Sequence, residues 1–207
     1  MVKNNWLIGI GLIAIFVIGG FIYFFPKRTV APSSQNKFLK IKTNVGPDLK
    51  TIRLNQNLSK MKITSPNFEN NNFIPSKYTC DGQDINPELE IKNVLADAKS
   101  LVLIVDDPDA PGGDWVHWLV WNIDPKTASI KEKSVPIGAV VGLNSFGKNS
   151  YGGPCPPSGA HHYHFKIYAL DTTLNIASSS RKANLEESMA GHIIGQGEII
   201  GLYARKK

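Results

Sequence analysis

The sequence has few of the residues that build metal or redox sites. Only two of its 207 residues are cysteines, Cys80 and Cys155, and no C-x-x-C pair is present. A structural zinc site is therefore not expected, because such sites normally use closely spaced cysteine and histidine ligands. The two cysteines are able to form a disulfide in an oxidising compartment, but two cysteines alone do not identify the compartment.

The chain also lacks the short motifs of common hydrolases. Ser158 lies near His161, yet no G-x-S-x-G segment surrounds it. His162 and His164 would point the same way from a strand and could hold a metal, but there is no H-E-x-x-H motif and no third ligand is evident. A hydrolase or a metal-dependent enzyme is therefore the less favoured interpretation, and neither a cofactor nor a metal is expected.

The chain lacks a basic excess outside its first 60 residues, although its net charge is +6. Residues 1–60 hold nine basic residues and one acid, whereas residues 61–207 hold fourteen basic and sixteen acidic residues. A nucleic-acid-binding domain is expected to carry basic residues on its own surface. The region 61–207 does not, so nucleic acid is not an expected partner.

One long segment contains no charge at all. Residues 6–25 read WLIGIGLIAIFVIGGFIYFF, which is long enough for a helix to cross the hydrocarbon core of a bilayer. The run exceeds the apolar region of a typical signal peptide, and no A-x-A-like cleavage site follows it. We expect residues 1–28 to be an uncleaved membrane anchor. Basic residues after the helix favour a cytoplasmic domain, whereas the short N-terminus is common in exported proteins, so the side of the membrane is left open.

Residues 29–60 contain Ala-Pro-Ser-Ser, scattered lysines and little periodicity. This composition predicts a flexible basic linker, with a basic strap on anionic lipid as the alternative. The remaining residues, 61–207, are expected to form one domain.

The pattern of residues 61–207 is mostly β. Strands are predicted over 100–106, 116–123, 163–170 and 197–204, where apolar and β-branched residues concentrate. In the second strand a period of two places Trp115, His117, Leu119 and Trp121 on one face and Val116, Trp118 and Val120 on the other, with both faces covered. A helix is predicted over 184–194, with Asn184 as its N-cap and acids in its first turn.

Polar residues with useful chemistry lie at strand ends and next to rigid loops. Asp107 and Asp109 follow a buried strand, His117 lies among tryptophans, and His161 and Tyr163 share one face of the next strand. Taken singly, each also fits a purely structural role, since an Asp-Pro-Asp segment commonly forms an Asx turn and an isolated histidine is commonly a hydrogen-bonded core residue. Glycine and proline around them predict fixed loops that display a small pocket.

Seven ordered stretches resemble the phosphatidylethanolamine-binding protein family, in its bacterial and archaeal Raf-kinase-inhibitor-like branch. They begin with MKITSPNF at 61 and YTCDG at 78, continue with DDPDAP at 106, WVHW at 115 and YGGPCPPSG at 151, and end with HHYHFKIYALD at 161 and the segment 186–201. The resemblance implies an antiparallel β-sandwich with Greek-key character and a short C-terminal helix. It also implies a pocket for a small anion or a phospholipid head group, lined by Asp107, Asp109, His117, Gly153, Pro154, His161 and Tyr163.

Two positions depart from the family pattern. His162 and Leu143 occupy positions where relatives usually carry arginine, so fixed positive charge is lost near the expected pocket. A membrane-tethered ligand-binding protein is the favoured function. The alternative is a regulator that inhibits a kinase or a peptidase through exposed loops, since fold alone does not fix function.

Overall fold

The computed structural model describes residues 59–205, which are mostly β with one α-helix. The strands are β1 (Ser59–Lys60), β2 (Lys62–Thr64), β3 (Asn72–Phe73), β4 (Leu89–Lys92), β5 (Ser100–Asp107), β6 (Trp115–Ile123), β7 (Ser129–Ile130), β8 (Val140–Val141), β9 (Ala160–Leu170) and β10 (Ile193–Ala204). A 3-10 turn spans Ser76–Tyr78, and the helix α1 spans Lys182–Met189.

Two open sheets carry these strands. Seven strands form the large sheet in the order β1-β10-β9-β5-β6-β8, with β3 also paired to β10. Its segment β9-β5-β6-β8 is antiparallel throughout and has the spatial order of a Greek key, because the last strand in sequence lies beside the first. The small sheet has the order β2-β4-β7.

The large sheet is buried on both faces. On one face Leu103, Val105 and Phe165 pack with Ile63 and Ile91 of the small sheet. On the other face a second cluster contains Val102, Ile104, Leu119 and Trp121, covered by Leu185 and Met189 of α1 together with Leu174. The apolar residues of the central strands β5 and β6 therefore meet apolar partners on both faces of the sheet, as the sequence predicts.

The strict alternation predicted for β6 is wrong, because the strand contains a β-bulge. Val105 pairs with Trp118 while its neighbour Asp106 pairs with Val116, so His117 is an extra residue. Val116 consequently joins the cluster of Leu119 and Trp121, instead of the one that contains Trp118. A bulge redirects side chains where one strand contributes an additional residue, and here the residue it redirects is His117.

A helix is present where the sequence predicts one, but the predicted bounds are wrong. α1 begins at Lys182, so Asn184 is its third residue and accepts a hydrogen bond from the backbone N–H of Arg181. No acid lies in the first turn. The helix ends at Met189, Gly191 has a positive φ of 81°, and Ile193 and Ile194 belong to β10.

Within residues 59–205 no helix is long and apolar enough to cross a membrane. The predicted anchor at residues 1–28 and residues 29–58 of the predicted linker at 29–60 lie outside the described residues. The last two residues of that linker, Ser59 and Lys60, form strand β1 beside β10.

Candidate functional site

Three of the residues predicted for the site meet in one cavity of about 340 Å³. Asp107 ends β5, His117 lies at the bulge of β6, and His161 is the second residue of β9. Because β5 pairs with both β6 and β9, the three side chains converge at one end of the large sheet. All three are almost fully buried.

The imidazole of His117 is fixed by the loop that follows β8. Its Nδ1 atom lies 2.6 Å from the carbonyl oxygen of Gly152. A carbonyl oxygen only accepts, so Nδ1 carries the proton and donates it, and Nε2 is left without a protein partner. Burial lowers the pKa of His117, although the bond to Gly152 and the nearby aspartates act in the opposite direction. His117 is therefore neutral at pH 7.

His161 is oriented by Asp107. Its Nδ1 atom lies 2.8 Å from Oδ2 of Asp107, whose other oxygen accepts a hydrogen bond from the backbone N–H of Asp109 at 2.9 Å. Both oxygens of the carboxylate are thus engaged, one by the imidazole and one by an Asx turn. The same tautomer results as at His117, with the proton on Nδ1 and Nε2 available to a ligand.

Tyr163 lies behind the two imidazoles and is absent from the lining of the cavity. Its ring packs edge-on against His117 at 5.2 Å and nearly parallel to His161 at 6.5 Å. The hydroxyl is buried without a hydrogen-bond partner, although the backbone of Cys155 is near enough to act on its pKa. Burial raises this pKa well above its ordinary value. Tyr163 therefore supports both histidines and remains protonated.

The other predicted site residues lie around the cavity and do not line it. Asp109 accepts hydrogen bonds from the backbone and the side chain of His162, and these bonds lower the pKa of Asp109. Gly153 donates its N–H to Asp84, and the Pro154 carbonyl accepts from the N–H of Cys80. A Cβ at position 153 would lie 2.6 Å from the Tyr78 carbonyl oxygen, so this close approach of two backbones requires glycine.

Most of the wall was not predicted from sequence as part of the site. The additional lining residues are apolar or small, and they are Ala110, Pro111, Gly112, Trp115, Phe146, Cys155, Pro156 and Pro157. Six of them belong to the two loops that are predicted to be rigid from their glycine and proline content. This composition is the sequence feature that could have indicated these six residues. Trp115 and Phe146 are 38% and 41% exposed and pack edge-to-face at 5.4 Å. No local pattern indicates that Phe146 reaches this wall.

A disulfide joins the two segments beside the cavity. Cys80 and Cys155 are bonded, with Cα atoms 5.4 Å apart. The hydrogen bond from Cys80 N–H to Pro154 and the bond from the Tyr151 hydroxyl to the Tyr78 carbonyl link the same segments. The loop that provides the acceptor for His117 is thereby fastened to residues 78–84.

The chemistry of the cavity differs from that of a metal or polycationic site. Its lining contains no lysine or arginine, and within residues 59–205 no cluster of three or more potential metal ligands occurs. His162 and His164 each contact a different carboxylate, Asp109 and Glu198. The available groups are thus two imidazole Nε2 atoms in an otherwise apolar wall.

Comparison with known proteins agrees with this architecture. The family model for phosphatidylethanolamine-binding protein matches residues 64–204. A UPF0098 protein of Pyrococcus horikoshii is 52% identical over 154 residues, covering 70% of this chain and 77% of the relative. A UPF0098 protein of Methanothermobacter thermautotrophicus is 45% identical, covering 70% of this chain and 99% of the relative.

Two solved structures share the fold. The crystal structure of a phosphatidylethanolamine-binding protein homolog from Chlamydia trachomatis superposes with a TM-score of 0.69 at 42% identity, covering 72% of this chain and 99% of that one. Escherichia coli YbcL, described as a member of the mammalian PEBP family, gives 0.67 at 32% identity, covering 70% and 99%. With the family model matching more than half of its length, the chain belongs to the phosphatidylethanolamine-binding protein family.

Proposed function

We propose that the domain binds a small oxyanion, a phosphate or the phosphate of a phospholipid head group, between His117 and His161. The observation that carries this proposal is the pair of imidazoles whose Nδ1 protons are held by Gly152 and Asp107. Each ring therefore presents Nε2 to the same cavity, with its orientation fixed by the protein. Once protonated, each Nε2 becomes a donor whose direction is already set, and such preorganisation favours an anion because little entropy is lost when it binds.

Protonation supplies the positive charge that the cavity otherwise lacks. A histidine protonated at Nε2 donates a charge-assisted hydrogen bond to an oxyanion. Because burial lowers the pKa of His117, the free protein holds this ring neutral, and anion binding must bring a proton with it. The ligand is thus recognised by charge and by proton uptake together, and its affinity depends on pH.

The composition of the cavity wall favours binding over nucleophilic catalysis. The wall contains no serine, and its cysteine is engaged in a disulfide. Ser158, the residue that suggests a hydrolase in the sequence, is exposed in the turn before β9 and does not line the cavity. A histidine that activates a hydroxyl must lie within hydrogen-bond reach of it.

Calorimetric titration of the full-length protein with inorganic phosphate tests the proposal. In the variants His117→Asn and His161→Asn the amide N–H replaces the Nδ1 donor while Nε2 is removed. Each variant should bind phosphate about tenfold more weakly or worse, as expected for the loss of a hydrogen bond to a charged group. The control is His192→Asn, because His192 pairs with Asp171 in the same way but is exposed and outside the cavity. Equal affinity in all four proteins would contradict the proposal.

We also propose that residues 6–25 tether the domain to a membrane. The support is the length of the uncharged segment, which suffices to span a bilayer. The full-length chain should then remain with membranes after an alkaline wash, and a variant lacking residues 1–28 should not. Release of both proteins by the wash would contradict tethering.

A protein-directed regulator is the second candidate, and one exposed loop favours it. The segment 131–139 presents Ile137, which is 100% exposed, and Val135, which is 44% exposed. Exposed apolar side chains on a loop are suited to contact with another protein. If a kinase or a peptidase is the partner, Ile137→Ser should reduce inhibition while His161→Asn leaves it unchanged. The opposite result would assign the inhibition to the cavity.

A further inference from the structure

A second cavity adjoins the proposed anion site. Its volume is about 350 Å³, and it shares two wall residues with the first cavity, Phe146 and Cys155. Gly152 lines the second cavity and is hydrogen-bonded to His117 in both directions, through its N–H and its carbonyl oxygen. The two cavities are therefore neighbours and share a wall that contains the Phe146 ring and Cys155 of the disulfide.

The second cavity carries two opposite charges that the first lacks. Lys148 and Asp84 both line it, and neither forms an ion pair among residues 59–205. Other described lysines do form such pairs, for example Lys166 and Lys182 with Asp106. A free ammonium and a free carboxylate in one cavity are complementary to a ligand that carries both signs of charge.

The backbone beneath these two charges is fixed. The N–H of Lys148 donates to Oδ1 of Asn144 at 2.9 Å, and Asn144 is itself buried and donates to the Ser150 carbonyl at 2.8 Å. Oδ1 of Asp84 accepts from the N–H of Gly153 at 2.6 Å. A positive φ of 55° at Asp84 favours Asp or Asn at this position. The backbone of Lys148 and the carboxylate of Asp84 are thus held by the loop that orients His117, whereas both side chains are exposed to solvent.

We infer that the two cavities form one composite site for a phosphate ester whose other end carries both an ammonium and a carboxylate group, as an amino-acid phosphate does. The phosphate lies between His117 and His161, the ammonium pairs with Asp84, and the carboxylate pairs with Lys148. This inference rests on the proposed anion site and adds the selectivity that the imidazoles alone cannot give. A phosphate ester with only an ammonium group uses Asp84 and leaves Lys148 unpaired.

Three probes separate these contributions in the full-length protein. Inorganic phosphate, O-phosphoethanolamine and O-phosphoserine are titrated by calorimetry against the wild type, Lys148→Met and Asp84→Asn. Asn at position 84 retains an oxygen for the Gly153 N–H and tolerates the positive φ, so the loop is preserved while the charge is removed. Lys126→Met is the matched control, because Lys126 is exposed and lines neither cavity.

The wild type should bind phosphoserine about threefold to tenfold more tightly than phosphoethanolamine, as expected for one additional partly exposed ion pair. Lys148→Met should remove this preference without changing the affinity for phosphoethanolamine. Asp84→Asn should weaken both amino phosphates more than it weakens phosphate, because phosphate is affected only through the influence of Asp84 on His117. Equal affinities of the wild type for the three probes would overturn the composite site but not the anion site. The same holds if Lys148→Met and Lys126→Met lose affinity for all three probes to the same extent. Failure of all three probes to bind would overturn the anion site as well.

Discussion

The Nδ1 atom of His117 lies 2.6 Å from the carbonyl oxygen of Gly152, and this contact joins the chemistry of the cavity to the conformation of a loop. Gly152 precedes Gly153, whose N–H is held by Asp84, and Cys155, which is bonded to Cys80. The tautomer of His117 therefore depends on a loop fastened at two further points. A β-bulge in β6 turns the histidine toward that loop.

Anion binding should strengthen as the pH falls. Burial lowers the pKa of His117, against the opposing effects of Gly152, Asp107, Asp106 and Asp84, so the neutral ring must gain a proton when it contacts an anion. Lowering the pH from about 8 to 6 should increase sulfate affinity by up to about tenfold per pH unit, the limit for uptake of one proton. Sulfate is the suitable probe because its own charge is constant over this range.

Calorimetry in two buffers with different ionisation enthalpies measures this proton uptake directly. The wild type should show a buffer-dependent binding enthalpy, and His117→Asn should show a smaller dependence. A binding enthalpy that is the same in both buffers would contradict the role given to His117.

Removal of the Tyr163 hydroxyl should leave both stability and binding intact. The hydroxyl is buried without a hydrogen-bond partner, so Tyr163→Phe removes an unsatisfied polar group and keeps the packing against both histidines. We expect the free energy of unfolding to change by less than about 1 kcal/mol, in either direction. Phosphate affinity should change less than twofold. A tenfold loss would instead show that this hydroxyl contacts the anion, as the family resemblance implies.

Position along the strands was the part of the site that sequence could predict. Asp107 directly follows the predicted strand 100–106, because an apolar run marks β5 clearly. In contrast, β9 begins at Ala160, three residues before the predicted start at residue 163, and therefore includes His161. The direction of His117 could not be derived, since a bulge depends on pairing between strands and leaves no signal within β6. The alternation of side chains along a strand correctly predicts that Tyr163 and His161 lie on the same face of β9. How deeply Tyr163 is buried behind the cavity depends on tertiary packing, which the local sequence does not show. Phe146 reaches the cavity through long-range contacts that no local pattern encodes.

Loss of the disulfide should destabilise the domain and weaken anion binding. The bond links residues 75 positions apart, and closing a loop of this length stabilises a protein by about 4.5 kcal/mol in the chain-entropy model. Cys80→Ala/Cys155→Ala should lower the free energy of unfolding by about 2–4 kcal/mol. Denaturant titration measures this change. Because the same loop holds His117, phosphate affinity should fall too, and unchanged affinity would show that the hydrogen bonds to Gly153 and Pro154 hold the loop without the disulfide.

Lys182 should matter for stability through Asp106, which is fully buried. The carboxylate of Asp106 accepts hydrogen bonds from Lys166 at 2.8 and 2.9 Å and from Lys182 at 2.5 Å. Burial acts to lower the pKa of Lys182, but the bonds to Asp106 and Asp114 outweigh it and raise this pKa. Lys182→Met leaves a buried charge with one partner and should cost about 2 kcal/mol, below the full cost of an unpaired buried charge.

The comparison for Lys182→Met is Lys99→Met, which removes the same charge at an exposed position that forms no ion pair among the described residues. Lys99→Met should alter the free energy of unfolding by less than about 0.5 kcal/mol. Similar values for the two variants would show that Asp106 does not depend on Lys182.

The central claim, that an anion binds between two oriented imidazoles, is tested most directly by nitrogen NMR of the histidine side chains in the full-length protein during a phosphate titration. We expect Nδ1-protonated tautomers at His117 and His161 in the free protein. Phosphate should produce saturable shifts of both Nε2 resonances toward the protonated form, with His192 unaffected. Shifts that are absent, or equal in size at His192, would contradict the claim.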